Sequence, residues 1–336
     1  MTGLALLRHW RVAVAALGWV AASGLTGCAS VATQGAPPPP WDDARFAPEH
    51  AVPPPRALMA VDDAMRQYLA QRLKPAQLKT SPQRALLDAL YQDGELKLDY
   101  DARHTLLSTQ AFADRRGNCL SLVLMTAAFA EEMGLEVGFN QVNAPDTWQS
   151  KGNLLLRSGH VNLNLSRSAR LDRAGYDPER ALTVDFLPGQ DLRALHMQRI
   201  PVTRVLAMYY NNRAAELLAD GHLAPAYWHA RAGLAQDPGF DGLRNTLGVV
   251  YLRAGALHLA ASTFEQLLAR QGDDGDALSN LAVVRDAQGR HAEALGLRAR
   301  RPMGSAPPAE PAPVRRQGLA ALKSPDKLRS GLPDLN

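Results

Sequence analysis

A period of 34 residues in the second half of the chain limits its fold more than any other feature of the sequence. Small residues recur at this period in three phases: Gly221, Gly255 and Gly289; Ala226, Ala260 and Ala294; Ala214, Gly248 and Ala282. A fixed period of this length indicates a supersecondary unit that stacks on copies of itself, and small residues at fixed positions are expected where helices cross closely. The second half is therefore predicted to be a stack of paired helices.

This period resembles that of tetratricopeptide repeats, most closely in the middle copy. There, Leu247, Tyr251 and Phe264 occupy the repeat's large apolar positions. The resemblance implies an all-α solenoid over residues 207–300. Two roles stay open for such a solenoid: a groove that binds a protein partner, or a domain that packs against the rest of the chain and stabilises it.

The beginning of the chain has the pattern of an export signal. Arg8 and Arg11 come before an apolar run over residues 12–25. That run is shorter than the roughly 20 residues needed to span a bilayer, and small residues follow it, as in a secretory leader. The chain is therefore expected to be exported and not to be a multi-pass membrane protein.

The leader closes on Leu25-Thr26-Gly27-Cys28, which resembles the lipobox of bacterial lipoproteins. The resemblance implies a signal peptide over residues 1–27, a diacylglycerol on the sulfur of Cys28 and a further acyl chain such as palmitate on its amino group. Several acyl chains anchor a protein firmly to a membrane. Because Ala29 follows the cysteine, the lipoprotein pattern favours the outer membrane, facing the periplasm. An ordinary secretory leader with a chance cysteine is the alternative.

Proline-rich stretches flank the part that is expected to fold. Prolines cluster at 37–40 and again from Pro302 onward. Such stretches favour extended or disordered chain without a core of its own. We expect a tether over residues 28–56, a first domain over residues 57–203 and a disordered tail over residues 301–336.

The charge balance argues against a nucleic-acid partner. The formal charge is +4, and Arg8 and Arg11 supply two of these units with no acidic residue beside them. The exported chain then carries about +2, far less than a basic nucleic-acid-binding surface needs.

Between residues 81 and 187, helix and strand patterns predict an α+β domain. Helices are expected to start at Ser81 and Ser108, and a buried helix is expected from Cys119 to a stop at Gly134. Three strand-like runs follow, at 135–142, 154–165 and 182–187. In the second run apolar and polar residues alternate, which puts the imidazole of His160 on the polar face of the strand.

The run Arg116-Gly117-Asn118-Cys119-Leu120-Ser121 at a helix start, His160 on a strand and Asp185 on the next strand resemble the transglutaminase-like superfamily, which is related to papain-type cysteine peptidases. The resemblance covers about residues 81–201. It implies a papain-like fold, with a helix that carries the cysteine and an antiparallel sheet that carries the other two residues. It also implies a nucleophile at Cys119, a general base and acid at His160, and an orienting carboxylate at Asp185.

The chemistry of acyl transfer suits this arrangement. A helix N-terminus and a neighbouring imidazolium both stabilise a thiolate, and unpaired N–H groups at the helix end can receive the oxyanion that develops during attack on an amide. Three further residues, Asn118, Gln141 and Trp148, are candidates to support the oxyanion or the substrate groove. Asn118 is alternatively a helix cap, and Trp148 a core or rim aromatic.

No cofactor is expected. A metal site built from Cys119, His160 and Asp185 is conceivable, but no second closely spaced cysteine or histidine accompanies them, as zinc sites require. The sequence thus predicts a periplasmic lipoprotein that hydrolyses a peptide or protein amide, with hydrolysis favoured over crosslinking. The alternative is a catalytically silent scaffold that binds protein partners through its repeats.

Overall fold

The computed structural model describes residues 38–91, 98–101, 104–151, 154–167, 181–186 and 196–302. From Pro39 onward these residues belong to one compact unit. The predicted leader, the lipidation site at Cys28 and nearly all of the predicted tail lie outside the described residues. Within the ranges given above, no helix is both long enough and apolar enough to cross a membrane.

The first part of the fold mixes helices and strands, as the sequence predicts. Its helices are α1 (Pro55–Leu58), α2 (Asp63–Tyr68), α3 (Lys74–Gln77), α4 (Pro82–Tyr91), α5 (Ser108–Asp114) and α6 (Cys119–Glu132). Its strands are β1 (Asp99–Tyr100), β2 (Arg116–Gly117), β3 (Leu135–Lys151), β4 (Leu154–Arg167), β5 (Ala181–Val184) and β6 (His196–Ile200). The predicted helix starts near Ser81, at Ser108 and at Cys119 are confirmed.

Four of the strands form an antiparallel sheet in the order β5-β4-β3-β6. β3 and β4 pair along most of their length, and the register shifts between Val142 and Thr147. The edge strand β6 was not predicted. Only Ile200 in it is buried, so the strand lacks the apolar alternation that identifies strands in a sequence.

The second part is helical. Its helices are α7 (Val202–Ala219), α8 (Leu223–Gln236), α9 (Asp241–Arg253), α10 (Leu257–Gln271), α11 (Gly275–Ala287) and α12 (His291–Ala299). The glycines of the 34-residue period, Gly221, Gly255 and Gly289, have φ values of 82°, 71° and 78° in the turns after α7, α9 and α11. Glycine tolerates this left-handed backbone better than any other residue, which explains their regular spacing.

A shared core joins the two parts. All side chains of α6 from Cys119 to Ala130 are buried, and α6 packs against β3 and β4. Val205, Leu206 and Tyr209 of α7 belong to the same hydrophobic cluster as α6. The predicted boundary between residues 203 and 207 therefore falls inside a continuous core.

The structure corrects the prediction of an extended tether over residues 28–56 for the part that it describes. Residues 40–53, called the strap here, lie against the helical part. Phe46 is buried against Tyr227 and Tyr251, and the hydroxyl of Tyr210 donates to the carbonyl of Pro53 at 2.7 Å. The strap has no core of its own, but aromatic side chains from distant parts of the sequence bury it. The local composition of the strap does not reveal such a contact.

Candidate active site

Gly117 and Asn118 set the position of Cys119 at the start of α6. β2 pairs in parallel with β1, and Gly117 comes so close to α6 that a Cβ there would lie 2.7 Å from Cβ of Ser121. Asn118 has an extended backbone, and its side-chain oxygen accepts from the N–H and the hydroxyl of Ser121 at 2.9 and 2.8 Å. Asn118 is therefore the N-cap, and Cys119 is the first residue of the helix.

His160 and Asp185 meet on neighbouring strands. His160 lies in β4, and Asp185 directly follows β5, which pairs with β4. Nε2 of the imidazole lies 2.8 Å from each carboxylate oxygen of Asp185. The two side chains expose only 3% and 6% of their surface. The strand face that the sequence predicts to be polar is thus also enclosed, and the imidazole is held in one orientation.

The thiol of Cys119 contacts the same imidazole. Cys119 lies close enough to His160 to act on its pKa, and because Asp185 takes Nε2, Nδ1 is the ring nitrogen that remains for the sulfur. Burial by itself lowers the pKa of His160. The hydrogen bonds and charges of Asp185 and Cys119 outweigh burial and raise this pKa to about 9. The imidazolium, which is the form that pairs with a thiolate, is therefore favoured at neutral pH.

A buried asparagine, Asn162, holds the carboxylate of Asp185 and is itself held by a second one, Asn140. Asn162 lies two residues after His160, hence on the same face of β4, and its side-chain amide donates to Oδ2 of Asp185 at 3.0 Å. The carbonyl oxygen of Asn162 in turn accepts from the side-chain amide of Asn140 on β3, also at 3.0 Å. Asp185 therefore receives hydrogen bonds from both the imidazole and an amide, which fixes its orientation.

The hydroxyl of Tyr100 lies at the N-terminus of α6. Tyr100 pairs with Gly117 across β1 and β2, and its hydroxyl hydrogen-bonds with the backbone of Cys119. Burial, together with the nearby charge of Cys119, raises the pKa of Tyr100 to about 12, so the hydroxyl stays neutral. The first N–H groups of a helix have no partner within the helix. The hydroxyl of Tyr100 therefore lies at the end of α6 that carries Cys119.

A chain of hydrogen bonds connects the N-cap of α6 to the helical part. The side-chain amide of Asn118 donates to the hydroxyl of Thr105 at 2.8 Å, and this hydroxyl donates to Oε1 of Glu216 at 2.8 Å. The backbone N–H of Thr105 donates to the same oxygen at 2.8 Å. Glu216 lies on α7, is buried, and pairs with Arg213 through its other oxygen.

The predicted site residues thus have four different outcomes. Cys119, His160 and Asp185 come together, and Asn118 has the capping role that was its alternative. Gln141 does not reach the site: it pairs with Val161, so it faces the side of the sheet opposite to the imidazole. The backbone of Trp148 lies in β3, but its side chain is outside the described residues.

Sequence reasoning missed four residues that support the site: Asn140, Asn162, Tyr100 and Glu216. The only signal for the asparagines was their position on the polar face of the predicted strands. Tyr100 and Glu216 reach the site through tertiary contacts, and nothing in their local sequence indicates them.

The described residues contain no group of three or more histidine, cysteine or acidic side chains placed to hold a metal ion. In the part of the chain that the structure describes, Asp185 and His160 are paired with each other, and Cys119 acts on the pKa of the same imidazole.

A scan against protein-family models and a search of curated proteins find no match for this chain.

Proposed function

We propose that this chain is a transglutaminase-like thiol acyl-transfer enzyme that hydrolyses a peptide or protein amide. One observation carries the proposal: the buried imidazole of His160 is held by Asp185 through Nε2, and Cys119 lies close enough to this imidazole to help raise its pKa. A nucleophile, a base and an orienting acid in this order are the parts that covalent acyl transfer requires.

In the proposed reaction, the thiolate of Cys119 attacks the amide carbon, and the carbonyl oxygen becomes an oxyanion at the N-terminus of α6. His160, charged at neutral pH, gives its proton to the leaving amine as the carbon–nitrogen bond breaks, which leaves a thioester on Cys119. Water then attacks the thioester, and His160 takes a proton from that water. The carbon–sulfur bond breaks, a carboxylic acid leaves and the thiolate returns.

The cellular setting belongs to the same proposal and rests on the sequence alone. The lipobox-like run before Cys28 supports a lipoprotein anchored in the outer membrane and facing the periplasm, and the 34-residue period supports tetratricopeptide repeats after the enzyme domain. Amides of periplasmic peptides or proteins are then the accessible substrates.

A binding role for the helical part is the second candidate function. The strap favours it, because α8 and α9 already hold a peptide segment through side-chain contacts. A scaffold of this kind keeps its function when Cys119 is replaced by serine, whereas the proposed enzyme loses it.

Alkylation of Cys119 by iodoacetamide between about pH 5 and 9 tests the enzyme proposal. The full chain carries Cys28→Ser, so that Cys119 is its only thiol. An ordinary thiol, with a pKa of about 8.5, contains under about 1% thiolate at pH 6. We expect the reaction at pH 6 to be at least tenfold faster than in the His160→Ala variant, because the imidazolium stabilises the thiolate.

His258→Ala, which removes an exposed histidine from α10, is the matched control and should react like the parent chain. An inert thiol, or equal rates with and without His160, would overturn the proposal. Turnover is checked separately with p-nitrophenyl acetate, which should acetylate Cys119 and release the acetyl group again, as followed by intact-protein mass spectrometry.

A further inference from the structure

The strap contacts the helical part through polar groups that complement each other. The guanidinium of Arg231 donates from Nε and Nη2 to the two carboxylate oxygens of Asp43, at 2.8 and 2.9 Å. The hydroxyl of Tyr227 donates to Oδ1 of Asp43 at 2.6 Å. The hydrogen bonds from Tyr227 and Arg231 lower the pKa of Asp43, which keeps this carboxylate charged. A fork of this kind recognises a carboxylate by its shape as well as by its charge.

Main-chain groups of the strap are also recognised. The indole N–H of Trp228 donates to the carbonyl of Phe46 at 2.9 Å, and the hydroxyl of Tyr251 donates to the carbonyl of Pro40 at 2.5 Å. The N–H of Asp42 donates to the hydroxyl of Tyr227 at 3.1 Å. Such contacts fix the direction and register of a bound segment without depending on its side chains.

An aromatic pocket receives Phe46. Its ring stacks on Tyr227 with centroids 4.2 Å apart and lies 6.0 Å from Tyr251. Trp41 covers the edge of the pocket, with Arg231 at 5.3 Å from its ring. Phe46 is 3% exposed and is thus a buried aromatic anchor of the strap.

The two anchors of the strap are presented together by one turn. Residues Asp43–Phe46 form a 3₁₀ turn, in which side chains three residues apart lie on the same side. The carboxylate of Asp43 and the ring of Phe46 therefore point to the helices at once. On the helical side, Tyr227 and Arg231 are four residues apart and form one face of α8.

We propose that this face of α8 and α9 is a peptide-recognition site for an acidic–aromatic turn, Asp-x-x-Phe, and that the strap is its resident ligand. More than 180 residues separate Asp43 from Tyr227 and Arg231, so the strap meets the helices as a separate ligand would. A partner protein that presents the same turn would compete with the strap for this site. The inference is independent of the chemistry at Cys119.

A labelled peptide tests the proposal on the full chain. The probe is a fluorescein-labelled peptide of residues 39–48, and its binding is followed by fluorescence anisotropy. The resident strap competes at an effective concentration of roughly millimolar, so the native chain should bind the peptide weakly. The double variant Asp43→Ala, Phe46→Ala releases the strap and should bind the peptide at least tenfold more tightly.

Arg231→Ala in the released chain should weaken binding at least tenfold, because it removes the carboxylate fork. Arg253→Ala, which removes an exposed arginine from α9, is the matched control and should have no effect. If the double variant loses its cooperative melting transition, the single variant Asp43→Asn is used in its place. Adding Arg231→Ala to that variant should again weaken binding of the peptide at least tenfold. Absence of binding to the folded released chain, or equal binding with and without Arg231, would show that the strap is only a structural brace.

Discussion

The α+β part and the helical part are both densely packed, but they use different side chains at their closest contacts. The interior around α6 contains hydrogen-bonded polar groups, among them His160, Asn162 and Glu216. The helices α7 to α12 meet at glycine and alanine residues. One such contact is between Gly248 and the ring of Phe264. Buried polar groups are costly unless they are paired, so the side chains around α6 depend on their hydrogen-bond partners. Both parts nevertheless bury polar side chains: Arg244 in α9 is 1% exposed and donates to the carbonyl of Pro238.

Removal of Glu216 should have the largest effect, because this buried carboxylate lies on α7 of the helical part but pairs with Thr105 of the α+β part. Glu216→Ala leaves the N–H and the hydroxyl of Thr105 without their acceptor and should cost about 2 to 3 kcal/mol of unfolding free energy. Glu216→Gln retains an acceptor oxygen and should cost clearly less. Urea denaturation measures both. Equal losses for the two variants would show that the hydrogen bonds to Thr105 do not determine the stability.

A methyl group at Gly248 should have the next largest effect. A Cβ there would lie 2.5 Å from Cε1 of Phe264, so Gly248→Ala should destabilise the chain by about 1 to 3 kcal/mol through overpacking. Gly296→Ala is the matched control, since it lies in α12 with no atom within 4 Å of the added carbon. It should stabilise the chain by about 0.5 to 1 kcal/mol. Thermal melts measure both variants. If their melting temperatures shift in the same direction, this account of helix packing is contradicted.

Titration of His160 should change the stability gradually, by a small amount over each pH unit. The pKa of His160 is about 9 in the folded chain and 6.5 without its partners. Its contribution to stability is therefore complete below about pH 6.5 and is lost as the pH rises through 9. The slope is at most about 1.4 kcal/mol per pH unit.

Asp185→Asn removes one of the two charges that raise the pKa of His160, so this variant should flatten the dependence between pH 6.5 and 9. Urea titrations at several pH values measure the slope. An unchanged slope in the variant would assign the dependence to other groups.

Local signals were sufficient where structure depends on neighbouring residues. The start of α6 followed from a glycine, a capping asparagine and an apolar run, and the place of His160 on a strand followed from simple alternation. The helical character of the second half followed from its 34-residue period. In each case the relevant contacts lie within a few residues or recur at a fixed spacing.

Residues whose environment is built by distant parts of the chain were not predictable. Phe46 is buried by aromatic side chains more than 180 residues away, and Glu216 reaches Thr105 across 111 positions. Gln141 was misplaced for a different reason. A shift of one residue along a strand reverses the face of the sheet, and the sequence alone did not show which strand positions pair.

The binding of the strap changes what a protease encounters at the beginning of the fold. A free proline-rich tether would be cut by trypsin after Arg45 as soon as the enzyme met it. In this structure Arg45 lies inside the 3₁₀ turn that Asp43 and Phe46 hold against the helices. Cleavage therefore requires the turn to leave the helices first, and its rate at low trypsin concentration reports the fraction of molecules with a detached strap.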